Sequence, residues 1–241
     1  MNQAVLLLGG RGSRLKPLTN YVPKPMVLIN NYPFLDYLLN ELIKSGYNNF
    51  VFLCGYKHTK IIERYKHLNL EKHFVIGNVS DNPEKRLIKA KRFLHEKFIL
   101  LYGDNFWPIH KEIRIYKNLM KKNKGKIGMV SYSNKKGTGE YGSINNIKYN
   151  NSFLVEKYGK SMKHNSIDIG FFIIFKKLLN KNGKNYSFKS FIKRQIVNKN
   201  LLTYVTDLQY YYITNLASLS MFNDYVLKYN VKPIPEIYFK R

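Results

Sequence analysis

The stretch Leu8-Gly9-Gly10-Arg11-Gly12-Ser13-Arg14-Leu15 directly follows an apolar run. Glycines let a backbone turn tightly and approach a ligand, and the exposed N–H groups of such a turn can donate to a polyphosphate. An arginine at the end of the turn can clamp phosphate oxygens with its planar fork. The pattern is not a P-loop, since no Gly-Lys-Ser/Thr follows, and its glycine spacing is not a dinucleotide fingerprint. Alone, it also fits an ordinary turn after a strand. Further on, Pro23-Lys24-Pro25 holds a lysine between two residues that fix the backbone. The run Leu100-Leu101-Tyr102-Gly103-Asp104 ends in a carboxylate, at the place where α/β sheets bind ligands. An Asp capping a turn is the plainer reading of that position. Trp107 reads either as pocket wall or as core anchor. Six histidines show no ligand spacing, and the one cysteine, Cys54, excludes a disulfide framework and a cysteine-rich zinc site.

The elements that must position these residues alternate along the chain. Gln3 to Leu8 reads as a strand buried on both faces. Pro33 to Ser45 repeats apolar residues at helical spacing, with Pro33 at its start and Gly46 past its end. Strands are expected at Phe50 to Cys54, Phe98 to Tyr102 and Ile127 to Tyr132. Helices are expected at Thr59 to Tyr65, Glu84 to His95 and Glu112 to Lys122. The second half reads as strands at Tyr141 to Ile147, Ser152 to Glu156, Asp168 to Phe175 and Leu201 to Thr206. Helices fall at Phe188 to Val197 and Leu216 to Tyr229. This rhythm predicts an α/β fold with a mainly parallel sheet covered on both faces, and a β-rich insertion in the C-terminal part. No linker or repeat divides the 241 residues, so one domain is expected. Its nucleotide-binding part would span 1–110, its acceptor-binding part 111–230, and an extended tail 231–241.

Composition narrows the partners. Forty-one Lys+Arg against fifteen Asp+Glu give +26, a balance that favours anionic partners. The lysines are scattered, and the richness in Lys, Asn, Ile and Tyr also fits an AT-rich genome. No apolar stretch reaches the length of a transmembrane helix, and the N-terminus does not read as a signal peptide, so a reduced cytoplasm is expected.

The motifs in order carry a resemblance. Gly-Gly-x-Gly-x-Arg-Leu-x-Pro-Leu-Thr from Gly9, then Pro23-Lys24-Pro25-Met26, then Pro33-Phe34-Leu35-Asp36-Tyr37, resembles the opening of the sugar-1-phosphate nucleotidyltransferases. The resemblance implies a Rossmann-like three-layer α/β/α fold of the nucleotide-diphospho-sugar transferase type. It implies that Leu8, Gly9, Gly10, Gly12 and Ser13 line the nucleotide pocket, with Arg11 a candidate phosphate contact. Arg14 and Lys24 would hold the triphosphate, and Asp104 would bind Mg²⁺. After a strand, Glu156 and Lys157 would contact the sugar and its phosphate, and Asp168 would accept a sugar hydroxyl or serve a structural role. The implied reaction joins an NTP and a sugar 1-phosphate into an NDP-sugar and pyrophosphate, for surface polysaccharide or lipopolysaccharide precursors.

Two segments depart from the family pattern. Where a second metal-binding Asp is usual, Tyr210-Tyr211-Tyr212-Ile213-Thr214-Asn215 places Tyr212. Where a Gly-Thr-Gly-like loop is common, the chain has Ser80-Asp81-Asn82-Pro83-Glu84-Lys85-Arg86. Leu101 to Pro108, Tyr132 to Lys135 and Tyr204 to Asp207 resemble the heptose 1-phosphate guanylyltransferase-like subgroup, whose members are fused to or encoded near a haloacid-dehalogenase-type sugar phosphatase. That subgroup favours GTP with a heptose or mannose-type 1-phosphate. The competing readings are a basic nucleic-acid or membrane-surface binding protein, although no nucleic-acid motif is present, and a same-fold enzyme with weak activity or another phosphorylated acceptor such as phosphocholine.

Overall fold

The computed structural model describes residues 2–179 and 187–239. In chain order its strands and α-helices are β1 (Gln3–Leu8), β2 (Leu28–Ile29), β3 (Tyr32–Pro33), α1 (Phe34–Lys44), β4 (Asn49–Cys54), α2 (His58–Tyr65), β5 (Glu71–Ile76), α3 (Pro83–Lys89), β6 (Lys97–Tyr102), β7 (Asn105–Phe106), α4 (Ile113–Lys122), β8 (Ile127–Tyr132), β9 (Asn145–Tyr149), β10 (Val155–Ser161), β11 (Ile167–Phe175), α5 (Phe188–Val197), β12 (Leu201–Thr206), β13 (Tyr211–Tyr212) and α6 (Leu216–Lys228). Seven strands form one sheet in the order β12-β8-β11-β6-β1-β4-β5. β1 pairs in parallel with β4 and β6, and β11 runs antiparallel between β6 and β8.

Successive strand residues feed opposite cores, as the pleat requires. Leu6, Phe50, Phe52 and Leu101 pack with Leu35, Leu38, Tyr65 and Tyr116 of α1, α2 and α4. Val5, Val51, Leu53 and Leu100 pack with Leu87, Ala90, Phe188 and Phe191 on the α3 and α5 side. The result is the expected α/β/α sandwich with a mainly parallel sheet. A third, smaller core joins Leu15, Val27, Ile29 and Phe34 to Phe106, Ile213 and Phe222. It ties the segment after β1 to the β7/β13 ribbon and α6, and so fixes the two halves of the cleft described below.

The differences from expectation lie at polar or irregular places. The expected helix over Glu84 to His95 is α3 alone, followed by a 3₁₀ turn at Lys91–Phe93. The strands expected at 141–147 and 152–156 lie instead at β9 and β10, which form a bulged antiparallel ribbon. β5 was not anticipated. Its sequence, EKHFVI, is half-polar, as suits one of the two edge strands of the sheet. Residues 231–235 run extended, then close in a 3₁₀ turn at Glu236–Tyr238. There Ile234 N–H donates to Asp36 O at 3.0 Å and Asn69 N–H to Tyr238 O at 2.5 Å. Residues 240–241 lie outside the described residues. Among the described residues, no helix is long and apolar enough to cross a membrane.

Candidate active site

The glycine-rich turn leaves the C-terminal end of β1, and Asp104 leaves the end of its neighbour β6. Gly103 brings the two together. A Cβ there would meet Leu8 Cδ2 at 2.2 Å and Leu7 O at 2.9 Å, and its own N–H donates to Leu7 O at 3.1 Å. Gly12 sits at φ 63° in the left-handed region. A Cβ on it would lie 2.9 Å from Lys24 Cβ, so the turn can pack against the lysine only without a side chain. Pro23 enters the Lys24–Met26 3₁₀ turn in an extended conformation. Lys24 is thereby nearly buried, and its Nζ donates to Asp104 Oδ2 at 2.6 Å. The two residues, eighty positions apart, close a cleft of about 240 Å³ lined by Leu7, Leu8, Gly10, Pro25, Pro83 and Tyr102. Elsewhere a larger groove of about 850 Å³ has Leu18, Tyr21, Met26, Leu28 and Phe239 in its walls. The smaller cleft holds the paired charges and is the candidate site.

Arg14 lies on the 3₁₀ turn Ser13–Leu15, with its side chain largely exposed and its Nη1 3.5 Å from Glu140 Oε1. Glu140 also accepts from Thr214 Oγ1 at 3.1 Å, and its N–H donates to the Tyr210 hydroxyl at 3.0 Å. Ser13 is exposed beside Arg14. The Arg11 guanidinium stands over the Tyr56 ring, 5.7 Å from its centroid.

Asp168, expected to accept a sugar hydroxyl, has both oxygens engaged within the chain. Gly170 N–H donates to Oδ1 at 2.7 Å and Tyr158 OH to Oδ2 at 2.8 Å. Burial pushes its carboxyl up to about 6; the Gly170 and Tyr158 bonds oppose the shift and the charge of Glu140 adds to it. Burial first, then the charge of Asp168, likewise raise the pKa of Tyr102, whose ring reaches the cleft wall. Glu156 and Lys157 are exposed on β10, where Glu156 lies 4.0 Å from Lys148, and neither lines the cleft. The residue of β10 that joins the cluster is Tyr158.

Sequence reasoning missed Glu140, Tyr102 and Tyr158. The available signal was Glu140 itself, one of only fifteen acids, set in the turn Gly137-Thr138-Gly139-Glu140-Tyr141-Gly142. Trp107 is fully buried against Phe171 and Tyr116 and is a core anchor.

The position of Tyr212 bears on metal binding. β13 pairs with β7, setting Tyr212 opposite Asn105, and Ile213 N–H donates to Asp104 O at 2.9 Å. The Tyr212 hydroxyl donates to Gly139 O at 3.3 Å. Burial first, then Glu140, raise its pKa, so at neutral pH it is a protonated phenol and a poor cation ligand. Among the described residues no group of three His, Cys, Asp or Glu is placed to hold a metal ion. Asp104, a hard carboxylate at the cleft, is the residue that would hold a Mg²⁺ here.

Comparison with known proteins places the chain in a family. A family model described as Nucleotidyl transferase matches residues 3–213. A "Probable glucose-1-phosphate cytidylyltransferase" of Bacillus subtilis is 32% identical over 132 residues, covering 45% of this chain and 52% of the relative. A D-glycero-alpha-D-manno-heptose 1-phosphate guanylyltransferase of Campylobacter jejuni is 31% identical over 109 residues, covering 44% and 49%. The chain thus spans about half the length of the curated relatives it matches. The solved inositol-1-phosphate CTP transferase of T. maritima superposes with a TM-score of 0.79 at 20% identity, over 95% of this chain and 96% of that one. At that identity the likeness concerns the fold.

Proposed function

The chain belongs to the nucleotidyl transferase family, and from that premise we propose that it joins an NTP to a sugar 1-phosphate, releasing pyrophosphate. The observation that carries this is the Lys24–Asp104 pair at the mouth of the glycine-rich turn. An oxygen of the sugar phosphate attacks the α-phosphorus in line, the new P–O bond forms, and the bond to the β-phosphate breaks. The nucleophile is already an anion, so no general base is required. The chain's task is positioning and charge neutralisation.

Each residue has a part in that task. Backbone N–H groups of the turn through Gly10 and Gly12 donate to phosphate oxygens. Lys24, with its backbone fixed by two prolines, meets the charge that develops on the departing pyrophosphate. Arg14, steadied by Glu140, reaches the same phosphates from the solvent side. Asp104 would hold Mg²⁺, which would supply positive charge to neutralise the phosphates. Tyr102 and Tyr158, set by Asp168, face the acceptor end. Lys157 meets the acceptor phosphate only if the β9/β10 ribbon folds towards the cleft.

GTP with a heptose or mannose-type 1-phosphate is the favoured pair, supported by the likeness to the Campylobacter guanylyltransferase. A pyrophosphate-release screen of four NTPs against several sugar 1-phosphates tests the reading. Release that requires both substrates and Mg²⁺ supports it. No release with any pair refutes it.

A further inference from the structure

One buried cation has no part in the mechanism above. β1, β4 and β5 lie side by side in the sheet, and each is followed by a glycine. A Cβ on Gly9 would lie 2.2 Å from Arg86 Cζ, one on Gly55 2.7 Å from Nη2, and one on Gly77 3.0 Å from Nη1. The three turns close around a single guanidinium, that of Arg86, a residue 5% exposed. Arg86 reaches it from α3, the helix whose first residue, Pro83, lines the cleft.

Among the described residues the guanidinium bonds to main-chain carbonyls in this cage. Nε donates to Asp81 O at 2.9 Å, Nη1 to Cys54 O at 2.5 Å, and Nη2 to Asn78 O at 2.7 Å and Gly9 O at 3.4 Å. Carbonyls that leave a strand need donors from elsewhere. A rigid fork with five N–H groups can serve several of them at once, whereas an ammonium on a flexible stem cannot hold the same geometry. Asp81, whose charge acts on Arg86, spends its carboxylate on Lys85 at 2.7 Å, Lys89 at 2.6 Å and Asn78 N–H at 2.9 Å. The guanidinium is therefore held by geometry rather than by a carboxylate partner.

The bond to Gly9 O matters most for function. Gly9 opens the turn whose next residue, Gly10, lines the cleft, and the same carbonyl accepts Tyr56 N–H at 3.2 Å. Resting on the nucleotidyl-transfer reading, we propose that Arg86 is a positioning residue for the nucleoside triphosphate. It fixes the glycine-rich turn from beneath, so that the N–H groups facing the cleft stay aimed at the phosphates. It touches neither substrate, and the acceptor end of the site does not depend on it.

Steady-state kinetics and calorimetric NTP binding on Arg86→Lys, Arg86→Met, Gly9→Ala and the Gly9→Ala/Arg86→Met double variant test this. Loss of the fork is expected to raise the NTP Kd and KM about tenfold, the size of one lost charge-assisted bond. The KM for the sugar phosphate should stay unchanged and kcat should fall far less. Arg86→Lys should not rescue, because charge without the fork leaves the carbonyls apart. Gly9→Ala, which drives a methyl group into the guanidinium, should mimic these variants. The double variant should be no worse than Arg86→Met alone, because the guanidinium that the methyl group strikes is gone. An unchanged NTP Kd in a folded Arg86→Lys protein overturns the proposal. So does an equal rise in both KM values, which marks a merely structural role, and so do additive effects in the double variant. If the Arg86 variants fail to fold, Gly9→Ala decides alone, and an unchanged NTP Kd in it overturns the proposal. A wild-type protein that binds NTP but turns over no pair defeats the transfer reading instead, while the binding arm still reports on Arg86.

Discussion

Lys24 and Asp104 form an ion pair at 2.6 Å, and in the proposed mechanism each exchanges its partner for a ligand when an NTP enters. Removing either leaves the other without its opposite charge and, in the proposed mechanism, takes away either the lysine that meets the departing pyrophosphate or the carboxylate that would hold Mg²⁺. Lys24→Ala or Asp104→Ala is therefore expected to lower turnover by about a hundredfold or more, on the order of 3 kcal/mol in the barrier. Pyrophosphate release within a few-fold of wild type in either variant would remove the pair from the mechanism. Asp168 makes a different prediction, about stability. Its folded-state carboxyl is raised to about 6 by burial, above its value in the unfolded chain. The folded protein thus binds the extra proton, and this group's favourable contribution is lost as pH rises through about 6. Asp168→Asn keeps an acceptor for Gly170 N–H and a partner for Tyr158 OH without the buried charge. It should stabilise the protein at pH 7.5 by about 1–3 kcal/mol and by much less at pH 4.5. Urea unfolding at the two pH values measures this; a stability difference independent of pH would contradict it.

The elements that carry these residues were legible in unequal measure. β1, β8, α5 and β12 fall on their expected bounds because long apolar runs and clean helical spacing leave one interpretation. β5 was hidden because an edge strand with one polar face lacks that signal, and β9 and β10 because bulges break the alternation. In the site, Gly9 to Arg14, Lys24 and Asp104 were legible because short-range motifs encode them. Glu140, Tyr158 and Arg86 were not, since their partners lie at sequence separations of 126, 10 and up to 77 residues, and no local pattern announces such contacts. The closeness of β1 and β6 at Gly103 yields an element-level prediction. Leu8 Cδ2 can swing away from an added methyl group, but Leu7 O, at 2.9 Å, is backbone and cannot move without parting the strand ends. Gly103→Ala should cost about 1–3 kcal/mol of stability and lower kcat, because Asp104 shifts with the strand end. A variant with wild-type melting temperature and kcat would show that the strand ends tolerate separation.

At the scale of the whole molecule, +26 is a field rather than a site. Even with all fifteen acids paired, twenty-six cations remain, so any polyanion near the surface meets a positive potential. That field helps both substrates, because the Mg²⁺ complex of an NTP carries about the same charge, near −2, as a sugar phosphate. It acts over a screening distance of about 14 Å at 0.05 M salt and about 7 Å at 0.2 M. Raising ionic strength across that range should therefore raise the KM for both substrates several-fold. kcat should hardly change, because in the proposed mechanism Lys24, Arg14 and Asp104 act at close range once the substrate is bound. The experiment also separates substrate steering from the nucleic-acid alternative. A nucleic-acid binder would hold DNA or RNA tightly at about 0.15 M salt with a steep salt slope, and that polymer would compete with NTP. Salt-independent KM values for both substrates would mean that the charge is a solvated coat without influence on the cleft, which is what a compositional origin of the lysines predicts.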